Sequence, residues 1–244
     1  MLVLKTMRLK QLNDSQLQSF DTEYVNDRRW EIIKNKIDKD FPQGAFSCLD
    51  IGGGNGKLAD RLLNSYPYCR VTVLDNSELL LSKNQPNKRK TIICESVKNL
   101  GQLDMKYDLV CINWLLHHLV SDSYRETRKN ISQTLNDAAL LLTSQGRISI
   151  FENMYDGIIV DQLPSYLIFH LTSAKAIKTL IKKMGANTAS IGVCFLSKNQ
   201  WYSTLKNTSL EILQYTDDDP WSVPMIRKFF LHLGHIRAGH FWLG

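Results

Sequence analysis

An α/β fold with a mostly parallel seven-stranded sheet and helices on both faces is predicted by three observations. Strand-like apolar runs alternate with helical periodicity from Phe46 to Glu152. These runs are apolar on both faces, as a sheet covered on two sides requires. The first of them also ends in a glycine-rich turn that opens a helix. An N-terminal helical extension or lid at 1–44 and a main domain at 45–244 are expected, with a helical insertion after the fifth strand at about 153–195.

The elements follow in order. Before Phe41-Pro42-Gln43-Gly44, Asp21 or Thr22 can cap a helix carrying Val25, Ile32, Ile33 and Ile37 on one face, a packing or lid helix. From Phe46 the chain reads FSCLDI as strand, a helix with Leu58, Leu62, Leu63 and Tyr66, RVTVLD as strand, a short helix SELLLSKNQ and KTIICES as strand. It continues with YDLVCIN as strand, a helix striped by Tyr124, Thr127, Ile131, Leu135 and Ala138, and GRISIFE as strand.

After Glu152 the alternation stops. Leu167, Leu171, Ala174, Ile177, Ile181 and Met184 at three-four spacing predict one helix ended by Gly185. Its Lys175, Lys178, Lys182 and Lys183 read as a solvated face complementing the helix C-terminus, with contact to an anionic partner as the alternative. Ser197-x-x-Gln200 is a capping box for a helix with Trp201 and Leu205. A strand LEILQY, an acidic turn DDDPW, a short helix after Pro224 and a closing strand near HFWLG complete the chain.

Composition narrows the classes. The 244 residues are 43% hydrophobic and 22% charged, enough for one domain with an appendage and inconsistent with disorder or a collagen-like chain. Thirty Lys and Arg against twenty-four Asp and Glu give a net charge of +6, which permits an acidic or nucleic-acid partner without requiring one. Five cysteines without a C-x-x-C pair argue against a disulfide framework and a zinc site, so no metal is expected and a reducing compartment is. No apolar run approaches the roughly 20 residues of a membrane span, and the start lacks a signal-peptide core. A cytoplasmic protein is therefore expected.

The strongest chemical signal is LDIGGGNGK at Leu49 to Lys57: a strand ending in Asp50, then Gly52, Gly53, Gly54 and Gly56. Glycines there let the backbone turn tightly and approach a ligand. The dinucleotide pattern G-x-G-x-x-G fails because Lys57 stands at its third glycine. The phosphate loop fails because Ile51 stands at its first glycine and Leu58 follows the lysine. By itself the turn could be a tight strand–helix connection, Asp75 a helix cap and Glu95 a solvated strand end.

Taken together, these residues resemble the class I S-adenosylmethionine-dependent methyltransferases, closest in style to those acting on small molecules. That resemblance covers roughly residues 46–152 and implies a single Rossmann-like domain using S-adenosyl-L-methionine and releasing S-adenosyl-L-homocysteine. It implies that Asp50 and the glycines form the first binding motif, and that Asp75 with Asn76 after the second strand accepts from the ribose hydroxyls. It further places Glu95 and Ser96 at the adenine edge, with Glu where the family more often has Asp, and Asn113 and Trp114 around the methionine portion.

The stretch WLLHHLVSD is similar to the W-x-x-H segment of phenol O-methyltransferases. The likeness places His117 at their catalytic histidine and Glu152 at the carboxylate that orients it. A purely structural His117, packing the loop after the fourth strand, is the other reading, and the long dimerisation domain preceding the glycine motif in the plant phenol enzymes is missing. Base-amine methylation is disfavoured, because Asn113-Trp114-Leu115-Leu116 stands where those enzymes carry (Asp/Asn)-Pro-Pro-(Tyr/Phe). Cytosine-carbon methylation is disfavoured because Cys111 lies inside an apolar strand.

The expected acceptor is a small molecule bound by Met154, Tyr155, Tyr166, Phe169, His170, Cys194 and Phe195 of the insertion. Methylation of RNA or protein, and a non-catalytic nucleoside-binding module, are the alternatives. The acid-free tail from Met225 to Gly244, with Arg227, Lys228, Arg237 and three histidines, could bind RNA or simply close the sheet.

Overall fold

The computed structural model describes residues 7–183 and 185–244, apart from the Asp14 side chain. The opening residues 1–6 and Met184, the last residue of the expected stripe, lie outside them. Seven strands form one mixed sheet: β1 (Ser47–Ile51), β2 (Arg70–Asp75), β3 (Lys90–Cys94), β4 (Tyr107–Asn113), β5 (Leu142–Gly157), β6 (Ile212–Pro220) and β7 (Leu233–Leu243). Their order is β3-β2-β1-β4-β5-β7-β6. The first five are parallel and β7 runs antiparallel to both its neighbours. The chain builds outward from β1 to β3 and then returns to β4 on the other side. The strand order therefore reverses between β1 and β4, and a crevice opens past their carboxyl ends.

Each face of the sheet has its own core. One gathers Leu49, Ile51, Ile112, Ile131, Leu135, Phe169 and Trp201, and includes residues of α5 (Tyr124–Leu140) and α8 (Lys198–Lys206). The other gathers Trp30, Ile33, Ile37, Leu58, Leu62, Val73 and Phe151, from α2 (Asp27–Asp40) and α3 (Lys57–Ser65) against the sheet. Leu62 is fully buried, which is worth about 1.5–3 kcal/mol relative to exposure. Double coverage does not extend to β3, an edge strand whose Thr91, Ile92 and Cys94 are exposed.

Several expectations need correction. Helix α2 is capped by Asn26, whose Oδ1 accepts from the Arg29 N–H at 3.0 Å, and not by Asp21 or Thr22. Its buried face adds Trp30 and Lys36, while Val25 precedes the helix. The single insertion helix is two, α6 (Leu163–Ser173) and α7 (Lys178–Lys183), because the chain turns extended at Ala174. The buried face of α6 is Pro164, Ser165, Ile168, Phe169 and Thr172, rotated away from the expected Leu167 and Leu171. Finally, Asp217, Asp218 and Asp219 belong to β6 rather than to a turn. Two short helices, α1 (Asp14–Leu17) and α4 (Glu78–Leu81), and α9 (Met225–Phe230) complete the α-helices among the described residues; β7 is longer than the HFWLG segment suggests.

Candidate active site

The turn between β1 and α3 takes a shape that side chains resist. Gly52, Gly54 and Gly56 have φ of +73°, +47° and +74°, in the left-handed region where glycine is at least cost. The Gly52 N–H donates to the Leu74 carbonyl at 2.7 Å, tying the turn to β2. Asp75, at the end of β2, accepts from the Gly54 N–H on Oδ2 at 3.1 Å and from the Ser77 N–H on Oδ1 at 2.8 Å. Asn84 donates to the Gly54 carbonyl at 2.7 Å. Asp75 thus shapes the glycine turn; the helix that follows is capped by Ser77 instead.

Burial pushes the Asp75 carboxyl up, and its three backbone hydrogen bonds pull the other way. Asp50, beneath the turn, is buried with Oδ2 lacking a partner among the described residues. Its burial, followed by the nearby Asp75 charge, raises its pKa to about 7. At the next strand end Glu95 Oε1 accepts from the Ser96 N–H at 2.6 Å and from Asn99 at 2.9 Å.

Past β4, Trp114 adopts φ +51°, a conformation rare for a bulky side chain and a sign of a constrained site. Its ring stacks between Tyr24 and Phe151 at 5.6 and 5.3 Å, with the Arg29 guanidinium 4.8 Å above it. Its Nε1–H donates to Asn153 Oδ1 at 2.9 Å. One helical turn on, His117 Nδ1 lies 2.6 Å from Glu152 Oε2, and Glu152 Oε1 accepts from the Leu116 N–H at 2.7 Å. Both side chains are buried. The next ring, His118, lies 4.1 Å from His117, and its pKa is pushed well down, first by burial and then by His117.

A cavity of about 920 Å³ joins these groups. Gly52, Gly53, Gly54, Asp75, Asn76, Glu95, Ser96, Asn113, Trp114 and His117 all line it. Asp50, Gly56 and Glu152 do not: they act from behind its wall. The expected acceptor set is corrected more heavily. Tyr155 and Phe195 line the cavity, stacked at 4.6 Å, and Phe195 also lies 4.7 Å from His117. Met154, Phe169 and Cys194 are instead buried core, and Tyr166 and His170 are exposed. Their places on the wall are taken by Ile168, Leu171, Thr172 and Val193.

Several wall residues escaped the sequence reading, among them Leu9, Phe20, Tyr24 and Arg227. Asp21 joins this N-terminal wall to the glycine turn, accepting from Asn55 at 2.9 Å and from Lys83 at 2.8 Å. The Asn55 hydrogen bond is the chief cause of its lowered pKa. No spacing rule could have joined residues so far apart in the chain. Cys111 is a buried strand residue, 3.9 Å from Cys48, as expected. Among the described residues no acid, cysteine or histidine cluster could hold a metal, and no helix is long and apolar enough to cross a membrane.

The site fits a polar ligand with an adenosine-like reach. Both polar atoms of the Asn113 amide are buried and lack partners among the described residues, although the side chain lines the cavity. At Gly54 a Cβ would stand 3.4 Å from Leu80 and 3.7 Å from Asp75 Oδ2, filling space left open over the turn.

The sheet order, the glycine turn and the acidic strand ends are those of a Rossmann-like methyltransferase fold. The comparisons agree, and the chain is an S-adenosylmethionine-dependent methyltransferase. Residues 48–138 match the family model described as "Methyltransferase domain". The chain is 23% identical over 203 residues to a malonyl-[acyl-carrier protein] O-methyltransferase of Bacillus anthracis, covering 82% of this chain and 68% of the relative. Solved structures share the fold. A SAM-dependent methyltransferase of Leishmania major superposes with a TM-score of 0.60 at 15% identity, covering 93% of this chain and 76% of that one. Coclaurine N-methyltransferase, solved with N-methylheliamine and SAH, gives 0.62 at 12% identity, covering 92% and 75%.

Proposed function

We propose that this methyltransferase acts on an oxygen of a small-molecule acceptor, with His117 as general base and Glu152 as the carboxylate that positions it. The observation that carries the reading is the buried His117–Glu152 contact of 2.6 Å on the wall of the same cavity that the glycine turn lines.

Within this reading Asp75 and Asn76 hold the ribose, Glu95 and Ser96 the adenine edge, and Gly52 to Gly56 with Asn113 and Trp114 the methionine portion, while Asp50 supports the turn. When bound, S-adenosylmethionine supplies a methyl group activated by its sulfonium. The chain's own work is to place the acceptor and to move one proton. Glu152 accepts from Nδ1–H of His117, which fixes the tautomer and leaves Nε2 with its lone pair. Nε2 removes the proton of the acceptor hydroxyl as oxygen attacks, and Glu152 stabilises the resulting imidazolium. Tyr155 and Phe195 give the acceptor an aromatic face beside that imidazole. Residues before Gly44 act as a lid, a role supported by Leu9, Phe20 and Tyr24 in the cavity wall.

The relative's printed substrate supplies a second acceptor to test, a carboxyl on an acyl-carrier protein. A carboxylate arrives without a proton to remove, so it separates the two readings. The experiment is incubation with methyl-labelled cofactor and separate panels of phenols, carrier-linked acids, RNA and proteins, with label located by mass spectrometry. Label on a phenolic or enolic oxygen supports the proposal. Label confined to nitrogen, carbon, RNA or protein overturns it.

A further inference from the structure

Helix α9 leaves its apolar side chains uncovered. Four of the six residues of α9 are large and apolar, yet none of its residues is buried. Met225, Ile226, Phe229 and Phe230 are 78%, 66%, 81% and 70% exposed. A helix that apolar is ordinarily covered by a core or by lipid. Beside it, the loop from β5 to α6 presents Ile158, Ile159 and Val160, with Ile159 85% exposed. His232, two residues past α9, pins that loop: its Nε2 accepts from the Ile159 and Val160 N–H groups at 2.9 and 3.1 Å. Two apolar knobs are therefore held side by side.

Charge in the flanking sequence is mostly positive. Residues 162–210 contain six lysines and no acid, and residues 220–244 contain no acid. Lys175, Lys178, Lys182 and Lys183 of the α7 region are all exposed, and α9 adds Arg227 and Lys228. The acids nearest the loop in sequence are occupied, Asp156 by Arg237 at 2.6 Å and Asp161 by the Ser197 hydroxyl. This face is also the rim of the cavity, since Ile181 of α7, Arg227 of α9 and the following Leu231 line it.

From these observations we infer that α9, the 158–160 loop and the α7 lysines dock the enzyme on an anionic lipid surface, so that a lipophilic acceptor passes from the bilayer into the cavity. Protruding apolar side chains enter the acyl boundary while lysines stay among the headgroups, which needs no shape-matched partner. The surface extends the reading of the cavity as an acceptor site, but its test reads vesicle binding, which does not depend on His117 being a base.

The test is flotation of the full chain with vesicles of phosphatidylcholine containing phosphatidylglycerol, and with phosphatidylcholine alone. Wild type should float with the anionic vesicles and be released by salt. Both Ile159→Ser/Phe229→Ser/Phe230→Ser and Lys178→Glu/Lys182→Glu should lower the bound fraction about tenfold or more. Methylation of a water-soluble acceptor should stay at the wild-type rate in both variants, which shows that they fold. No flotation of wild type, or flotation that the serine triple leaves unchanged, overturns the inference. So does a homodimer, or a complex with an acidic carrier protein, that the same serine substitutions dissolve while vesicles go unbound.

Discussion

At its glycine end the cavity is made largely of backbone and strand termini, whereas at its imidazole end it is made of side chains from segments far apart in the chain. Gly52, Gly54, Asp75, Glu95 and Asn113 lie at or just past the carboxyl ends of β1 to β4, and their positions are set by the sheet itself. His117, Tyr155, Ile168, Phe195, Arg227 and the 9–24 wall come from a 3₁₀ turn, the outer end of β5, α6, a loop, α9 and the N-terminal segment. The first end tolerates little change, because its left-handed glycines and packed strand ends leave little room for side chains. The second can be rebuilt residue by residue without disturbing the sheet, which suits an end that selects an acceptor.

That contrast can be broken at either end, and the largest effect belongs to the imidazole. His117→Ala should lower turnover on a hydroxyl acceptor about 10²- to 10⁴-fold while calorimetric affinity for S-adenosylhomocysteine stays at the wild-type value. Near-normal turnover would make His117 structural.

Asp50 gives a pH signature. Its folded-state pKa of about 7 lies above the usual carboxylate range, so the native state keeps a proton that the unfolded state has released. Stability contributed by this group therefore falls as pH rises from about 4 to about 7. Asp50→Asn should flatten that slope and, at pH 8, stabilise the apo protein relative to wild type by up to about 4 kcal/mol. Denaturant unfolding across pH checks it, and parallel slopes would refute it.

Gly53→Ala sharpens the backbone side of the comparison. Its Cβ would stand 2.5 Å from Asp50 Oδ2 and 2.9 Å from Val73 Cγ1, so a loss of about 1–3 kcal/mol in unfolding free energy is expected. Asn26→Ala should cost about 1 kcal/mol in unfolding free energy through its lost cap, read by denaturant unfolding.

The same division explains what the sequence disclosed. The glycine turn and the acid at 75 were legible because strand, turn and helix follow one another locally, and so was the succession of parallel strands along the chain. The His117–Glu152 pairing was legible only through family likeness. The break in the insertion was not, since three-four apolar spacing runs on past Ala174. What sets the face of α6 is tertiary: Thr172 Oγ1 accepts from the Val193 N–H at 3.1 Å. Likewise three consecutive aspartates and a proline read as a turn. They lie in a strand because Arg237 holds Asp217, Arg29 holds Asp218 and Arg28 holds Asp219. Ion pairs across such distances in the chain leave no local pattern.

The adenosyl group's place at the glycine end is tested most directly by calorimetric titration of Asp75→Ala with S-adenosylhomocysteine. Losing the carboxylate that holds the Gly54 and Ser77 N–H groups and faces the cavity should weaken binding by about 1–3 kcal/mol. Affinity equal to wild type, in a variant that unfolds cooperatively, would contradict that placement.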